Sequence, residues 1–320
     1  MTADRRPVPC ILGSPRSGTT MFAAMLHAHP EMAMAFESAF VTNMALTRDR
    51  WQRSDGFDAD GYVDDLLGHP DAESFRKYMS IPPEALRDRL HGVAAFDYAE
   101  AVRRVYRLYA ETEGKSRYGE KTASYVRGLS TLPELFPEMR FVHIVRDGRD
   151  AANAHLHASW GADNLVNAGR MWAKQVTALR DLGQSAGPDR YLEIRYEQLV
   201  DNSAQVLRTV CAFVDLDYDP QMLEYHVKGT AALGGARANE DSHQSLNLPP
   251  TRGLRDWRRD LDRRDLQRLE ASIGDTLETF GYERETRTSL RLRVEQTVAR
   301  SRELGRRSWK RLRRRRTART

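Results

Sequence analysis

Apolar and polar positions in this chain fall into two alternating patterns. Residues 8–13 (VPCILG) form a short continuous apolar run closed by Gly, the pattern of a strand buried on both faces. A polar stretch, Gly13 to Thr20, follows. Residues 19–28 (TTMFAAMLHA) then place Met21, Met25 and Leu26 at helical spacing before His29-Pro30 ends the run. A second short strand is predicted from Met32 to Phe36. From 38 to 116 the spacing is mostly helical and is broken at Asp55-Gly56, His69-Pro70 and Pro82-Pro83, which predicts a helical insert. Further strands are predicted from Arg117 to Gly119, over 140–145 (RFVHIV) and from Tyr191 to Arg195. Helices are predicted up to about His157, from Leu165 to Leu182, and over 203–215 and 262–280. Strands alternating with helices predict an α/β fold, a central parallel sheet flanked by helices, with no internal repeat.

Composition narrows the class. The chain has 320 residues, of which 40% are hydrophobic and 30% charged, and its mean hydropathy is −0.64. Such a composition is globular, and no run approaches the ~18 apolar residues of a membrane helix. The opening MTADRRPVP lacks the apolar core and cleavage site of a signal peptide. Two cysteines, Cys10 and Cys211, build no disulfide framework, so a reducing, cytoplasmic setting is expected.

The net charge of +5 hides two unlike parts. Residues 287–320 hold 13 Arg and one Lys against two Glu, a net +12, so residues 1–286 carry −7. An acidic body gives no reason to expect a nucleic-acid partner. We therefore divide the chain into a domain over 1–286, with its insert at about 38–116, and a basic tail over 287–320. In the tail, Leu290, Val294, Val298, Leu304, Trp309 and Leu312 recur at roughly helical spacing among arginines. Such a stretch can lie on an anionic membrane surface, peripheral rather than spanning; a solvated tail is the other reading.

The chemistry concentrates in Gly13-Ser14-Pro15-Arg16-Ser17-Gly18-Thr19-Thr20. Its GxxxxG spacing, between a strand and a helix, is that of a phosphate-cradling loop. Glycines let the backbone approach phosphate, and free N–H groups at the helix start form an anion site. Thr19 stands where an ATP-binding loop has its lysine, and the cation sits earlier, at Arg16. Arginine without that lysine suits a different 5′ group from the β/γ-phosphates of a nucleoside triphosphate. A second signal is Phe141 to Asp150 (FVHIVRDGRD), an apolar strand that delivers Arg146 at its carboxyl end, where open α/β sheets bind ligands.

With these two motifs the chain resembles the sulfotransferases that use 3′-phosphoadenosine 5′-phosphosulfate (PAPS), and most of all their tyrosylprotein-sulfotransferase-like and bacterial branches. The resemblance covers roughly residues 9–282. It implies a P-loop-type nucleotide-binding fold with the helical insert over the acceptor site. It also implies that Pro15, Arg16, Ser17, Gly18, Thr19 and Thr20 hold the 5′-phosphate and that Arg146 holds the 3′-phosphate. The family's serine eight residues after that arginine is Ala154 here, which leaves Asn153, backbone or water for the role. Tyr191 to Val200 (YLEIRYEQLV) is similar to the family's next strand and turn and puts Tyr196 among the nucleotide positions. Arg252-Gly253-Leu254-Arg255-Asp256-Trp257 is similar to a shortened form of the segment that closes over the 3′-phosphate and adds Arg252 and Gly253.

Tyr118-Gly119-Glu120-Lys121-Thr122 resembles the family's GEKT segment, whose lysine, here Lys121, faces the transferring group. Ala123 follows where cytosolic members often carry a catalytic histidine. Tyrosylprotein-sulfotransferase-like members place a basic glutamate 21 residues after the loop arginine, and that position is Glu37. The implied reaction is in-line transfer of a sulfuryl group to a hydroxyl acceptor, with Glu37 as base and with Arg16 and Lys121 stabilising charge. A sugar, phenol, lipid, other small molecule or tyrosine all remain open as acceptor. His143, inside an apolar strand, reads as a core histidine and is the second candidate for the base. His155 and His157 face different sides of a helix and make a poor metal pair, so no metal is expected. Trp51, Phe57, Tyr62, Phe75 and Tyr78 read as core of the insert more readily than as an acceptor pocket. Two rival readings are an ATP-dependent small-molecule kinase using Asp147 for magnesium, and an anion-binding protein that acts through its tail.

Overall fold

The computed structural model describes residues 6–37, 39–69, 79, 81–91, 97–122, 129–158, 162–228 and 245–286. The main elements in chain order are β1 (Val8–Gly13), α1 (Thr19–His27), β2 (Met32–Phe36), α2 (Phe40–Ala45), β3 (Gln52–Arg53), β4 (Gly56–Phe57), α3 (Ala59–Gly68), α4 (Pro83–Leu90), α5 (Tyr98–Thr112), β5 (Arg117–Lys121), β6 (Met139–Val145), α6 (Gly148–Leu156), α7 (Leu165–Ala186), β7 (Tyr191–Arg195), α8 (Tyr196–Asp201), α9 (Ser203–Phe213) and α10 (Arg263–Thr279). These elements form two compact units. One comprises residues up to Arg146 together with Lys174–Leu254, and the other comprises Asp147–Ala173 and the residues from Arg255 on.

The first unit is built on a five-stranded sheet in the order β2-β5-β1-β6-β7. Every pairing in it is parallel, as alternating strands and helices require. All six residues of β1 are buried, which explains why its sequence is a continuous apolar run rather than an alternation. Pro9 is tolerated in this central strand because pairing with β5 starts only at Cys10.

Side chains alternate across the sheet and feed two cores. On one face Cys10, Leu12, Ala33, Ala35 and Phe141 pack against Trp51, Tyr62 and Tyr106 of the insert and against Leu179 and Leu182 of α7. On the other face Ile11, Met34, Phe36, Val142 and Ile144 meet Phe22, Met25 and Leu26 of α1 and Leu207 and Val210 of α9. Each fully buried large apolar side chain contributes about 1.5–3 kcal/mol.

The expected insert is mostly helical, through α2 to α5. It also contains a hairpin, Gln52–Arg53 against Gly56–Phe57, whose two-residue strands are too short to leave a periodic signal. Its aromatic residues are core: Trp51 stacks on Tyr98 with centroids 5.8 Å apart, and Tyr62 meets Trp51 edge-on at 5.4 Å. Phe75 and Tyr78 lie outside the described residues, as do Ala123 and the tail over 287–320. The strand predicted from Arg117 to Gly119 runs two residues further, to Lys121, and this matters for the site. Among the described residues, no helix is long and apolar enough to cross a membrane.

In the second unit, Asp147 caps α6 by accepting the Arg149 N–H at 2.9 Å. The Arg149 guanidinium pairs with Asp147 at 2.7 Å and with the fully buried Glu270 of α10 at 2.6 Å. It also lies 4.0 Å from the Trp257 ring centroid. Removing one partner of so buried a pair typically costs 3–5 kcal/mol.

Candidate active site

In the first unit, the carboxyl ends of all five strands deliver residues that the sequence had singled out. β2 runs into Glu37, β5 ends at Lys121, β1 opens into the loop after Gly13, β6 is followed by Arg146, and β7 by Tyr196. That is the edge at which open α/β sheets bind ligands.

The loop begins with a tight turn. The Ser17 N–H donates to the Ser14 carbonyl at 3.2 Å, Pro15 occupies the second position, and Arg16 has φ 69°. Proline followed by a left-handed residue is the signature of a type II turn, whose third position favours Gly. Arg16 in that place carries a strain of roughly 1–2 kcal/mol. Gly18, at φ 86°, then starts α1 with no side-chain cap and with no acidic residue in the first turn. The first N–H groups of α1 are therefore left to an anion. The Ser17 hydroxyl is buried and has no hydrogen-bond partner among the described residues. A buried polar atom without a partner is costly in a protein that binds nothing there. A phosphate oxygen would satisfy it.

Close packing fixes the two glycines. A Cβ on Gly13 would stand 2.6 Å from Thr19 Cγ2, and one on Gly18 would stand 2.5 Å from Cδ2 of the Tyr196 ring. Gly18→Ala is therefore expected to weaken binding of 3′-phosphoadenosine 5′-phosphate at least tenfold, as measured by calorimetry. The left-handed backbone would cost an alanine roughly 1–2 kcal/mol, so the loop of the free variant relaxes away from the binding geometry. A variant that folds and binds like the parent would contradict this geometry.

Glu37 and Lys121 meet. Strand register pairs Phe36 with Lys121, and the Glu37 N–H donates to the Lys121 carbonyl at 2.7 Å. The Lys121 ammonium in turn donates to Glu37 Oε1, with the lysine side chain 2% exposed and the glutamate 22%. Continued as a strand, residue 37 would face the opposite side of the sheet from Phe36. Instead Glu37 has φ 56°. Arg16, Glu37 and Asp215 are the non-glycine residues with positive φ among those described, so two of these three strained positions are residues with a proposed catalytic role.

Arg146 is buried and donates through Nη1 to the Arg16 carbonyl at 3.1 Å, with its guanidinium 4.5 Å from the Tyr196 ring centroid. Arg16, Gly18, Arg146 and Tyr196 thus form one contiguous cluster. Arg252 is placed differently: its side chain is 75% exposed and pairs with Asp201, at the far end of the helix that Tyr196 opens. Gly253 beside it has φ 70° and no atom within 4 Å of a built Cβ.

Asn153 lies in the second unit, where its amide donates to Asp260 at 3.0 Å, and Ala154 is buried. The Asp147 carboxylate accepts from Arg149 and also from the Trp257 indole at 3.2 Å. These cationic and neutral donors leave it poorly suited to magnesium. Among the described residues, no group of three or more His, Cys, Asp or Glu is placed to hold a metal ion. His143 is fully buried against the Tyr191 hydroxyl at 2.7 Å, and burial holds its protonation below the usual imidazole range. It is a neutral core residue.

Sequence reasoning missed one side chain that touches the loop. The Ser14 hydroxyl donates to Gln175 Oε1 at 2.8 Å. A single glutamine on α7 carries no motif, and its partner is 161 positions away.

A strained loop opening onto an uncapped helix at the carboxyl edge of a parallel sheet is the arrangement of phosphate-binding α/β folds. Residues 7–220 match the sulfotransferase family, and the chain belongs to it. The protein-tyrosine sulfotransferase of Drosophila melanogaster is 23% identical over 285 residues, 87% of this chain and 52% of its own length. This chain therefore spans about half the length of that relative. Nodulation protein NoeE of Sinorhizobium fredii is 27% identical over 310 residues, 88% of this chain and 68% of that protein. The sulfotransferase domain from the curacin biosynthetic pathway shares the fold, with a TM-score of 0.57 at 18% identity over 87% of this chain and 98% of that domain.

Proposed function

We propose that the protein transfers a sulfuryl group from PAPS to a hydroxyl acceptor. The observation that carries this reading is the pairing of an uncapped, cation-bearing phosphate loop with the Glu37–Lys121 contact at the neighbouring strand ends. In this mechanism Ser17, Gly18, Thr19 and Thr20 bind the 5′-phosphate, while Arg146 and, from the exposed segment, Arg252 bind the 3′-phosphate. Glu37 takes the proton of the acceptor hydroxyl as its oxygen forms a bond to sulfur. The bond from sulfur to the 5′-phosphate oxygen breaks, and Arg16 and Lys121 stabilise the charge that remains on that oxygen. The relatives named for protein tyrosine favour a phenolic hydroxyl, although a sugar or lipid hydroxyl satisfies the same chemistry. The test is transfer of label from sulfur-labelled PAPS to a panel of phenols, sugars, lipids and tyrosine peptides. Transfer to one of these classes supports the reading. Consumption of PAPS without label in any acceptor counts against it.

The reading includes a cytoplasmic enzyme held at anionic membranes by residues 287–320, supported by the net charge of +12 there. The full-length protein is expected to sediment with anionic liposomes at low salt and to be released as salt screens the arginines. If a 1–286 chain sediments equally, the tail is not the anchor.

A further inference from the structure

Resting on the reading above, we propose that Gln175 is a positioning residue of the phosphate loop, acting through Ser14. The turn Ser14-Pro15-Arg16-Ser17 holds Arg16 in a conformation that an arginine does not favour, so the surrounding structure must fix it from outside. Two side-chain contacts do so. Arg146 holds the Arg16 carbonyl at 3.1 Å. Gln175 holds the first residue of the turn through the Ser14 hydroxyl at 2.8 Å, with Ser14 only 2% exposed. The Ser14 carbonyl is the acceptor that closes the turn, so the Gln175 contact anchors the residue on which the turn depends. The Ser14 hydroxyl proton is committed to Gln175 Oε1. With the Ser17 N–H closing the turn, the N–H groups of Gly18 and Thr19 are thereby set for the 5′-phosphate before the nucleotide arrives, and the cost of ordering them on binding is avoided.

The experiment is a double-mutant cycle in the full-length protein with Ser14→Ala and Gln175→Leu, together with Gln175→Glu, which keeps an acceptor oxygen for Ser14. Two quantities are read: affinity for 3′-phosphoadenosine 5′-phosphate, and hydrogen exchange of the loop amides in the free protein. Each single variant is expected to lower affinity roughly three- to tenfold, the range for one hydrogen bond. Each should also speed exchange at Ser17, whose N–H closes the turn on the Ser14 carbonyl, with the double variant no worse than either single one. Gln175→Glu should retain the slow exchange even where its charge weakens the anion. Additive losses, or loop exchange that is unchanged in Gln175→Leu, would overturn the proposal. Exchange is measured without ligand, so it decides this inference even if the parent protein fails to bind the nucleotide, a failure that would fall on the proposed function instead.

Discussion

Replacing Glu37 by Gln is expected to lower turnover by ~10²–10⁴, the range for loss of a general base, with little change in affinity for 3′-phosphoadenosine 5′-phosphate. Gln keeps the shape of the side chain and an oxygen for the Lys121 ammonium, so the contact that joins β2 to β5 can persist without the proton acceptor. The backbone at this position is left-handed, and Gln tolerates that no worse than Glu. A fall in turnover with an unchanged melting temperature and nucleotide affinity therefore isolates proton transfer. His143 offers no substitute, since its ring is fully buried within β6 against the Tyr191 hydroxyl, out of reach of an acceptor, and burial weakens it as a proton acceptor. Turnover within threefold of the parent would remove Glu37 from the reaction.

Arg146→Ala is expected to weaken 3′-phosphoadenosine 5′-phosphate by roughly 10- to 100-fold, the worth of a charge-assisted hydrogen bond in a largely buried site. Adenosine 5′-phosphate should weaken less, yet not be spared. Arg146 also holds the Arg16 carbonyl and stacks on Tyr196, so its loss loosens the loop that binds the 5′ end of either ligand. The difference between the two ligands reports the 3′-phosphate contact, and the shared loss reports the loop. Equal losses would confine Arg146 to a structural part.

Much of this site was legible in the sequence because its parts are local. The strand-loop-helix from Val8 to His27 announces itself within twenty residues, through an apolar run, a Gly at each end of the turn, and helical spacing beyond. β6 followed by Arg146 is similarly self-contained. What the sequence could not show depends on register and on conformation. The contact between Glu37 and Lys121 arises because β2 and β5 are paired in the order β2-β5-β1 and because Glu37 adopts positive φ. Neither is encoded in a nearby pattern. The partnership of Ser14 with Gln175 was invisible for the same reason, since it joins a loop to a helix far along the chain. The division of the chain into two compact units also leaves no mark in composition, because its boundary at Arg146 falls within a single motif.

In the proposed reaction the loop after β1 binds a 3′-phosphorylated adenosine nucleotide rather than a magnesium nucleoside triphosphate. Calorimetric titration of the full-length protein, with all divalent metal chelated, tests it most directly. Saturable one-site binding of 3′-phosphoadenosine 5′-phosphate is expected, with adenosine 5′-phosphate at least tenfold weaker. Absence of that binding, with magnesium ATP bound once the metal is restored, would contradict it.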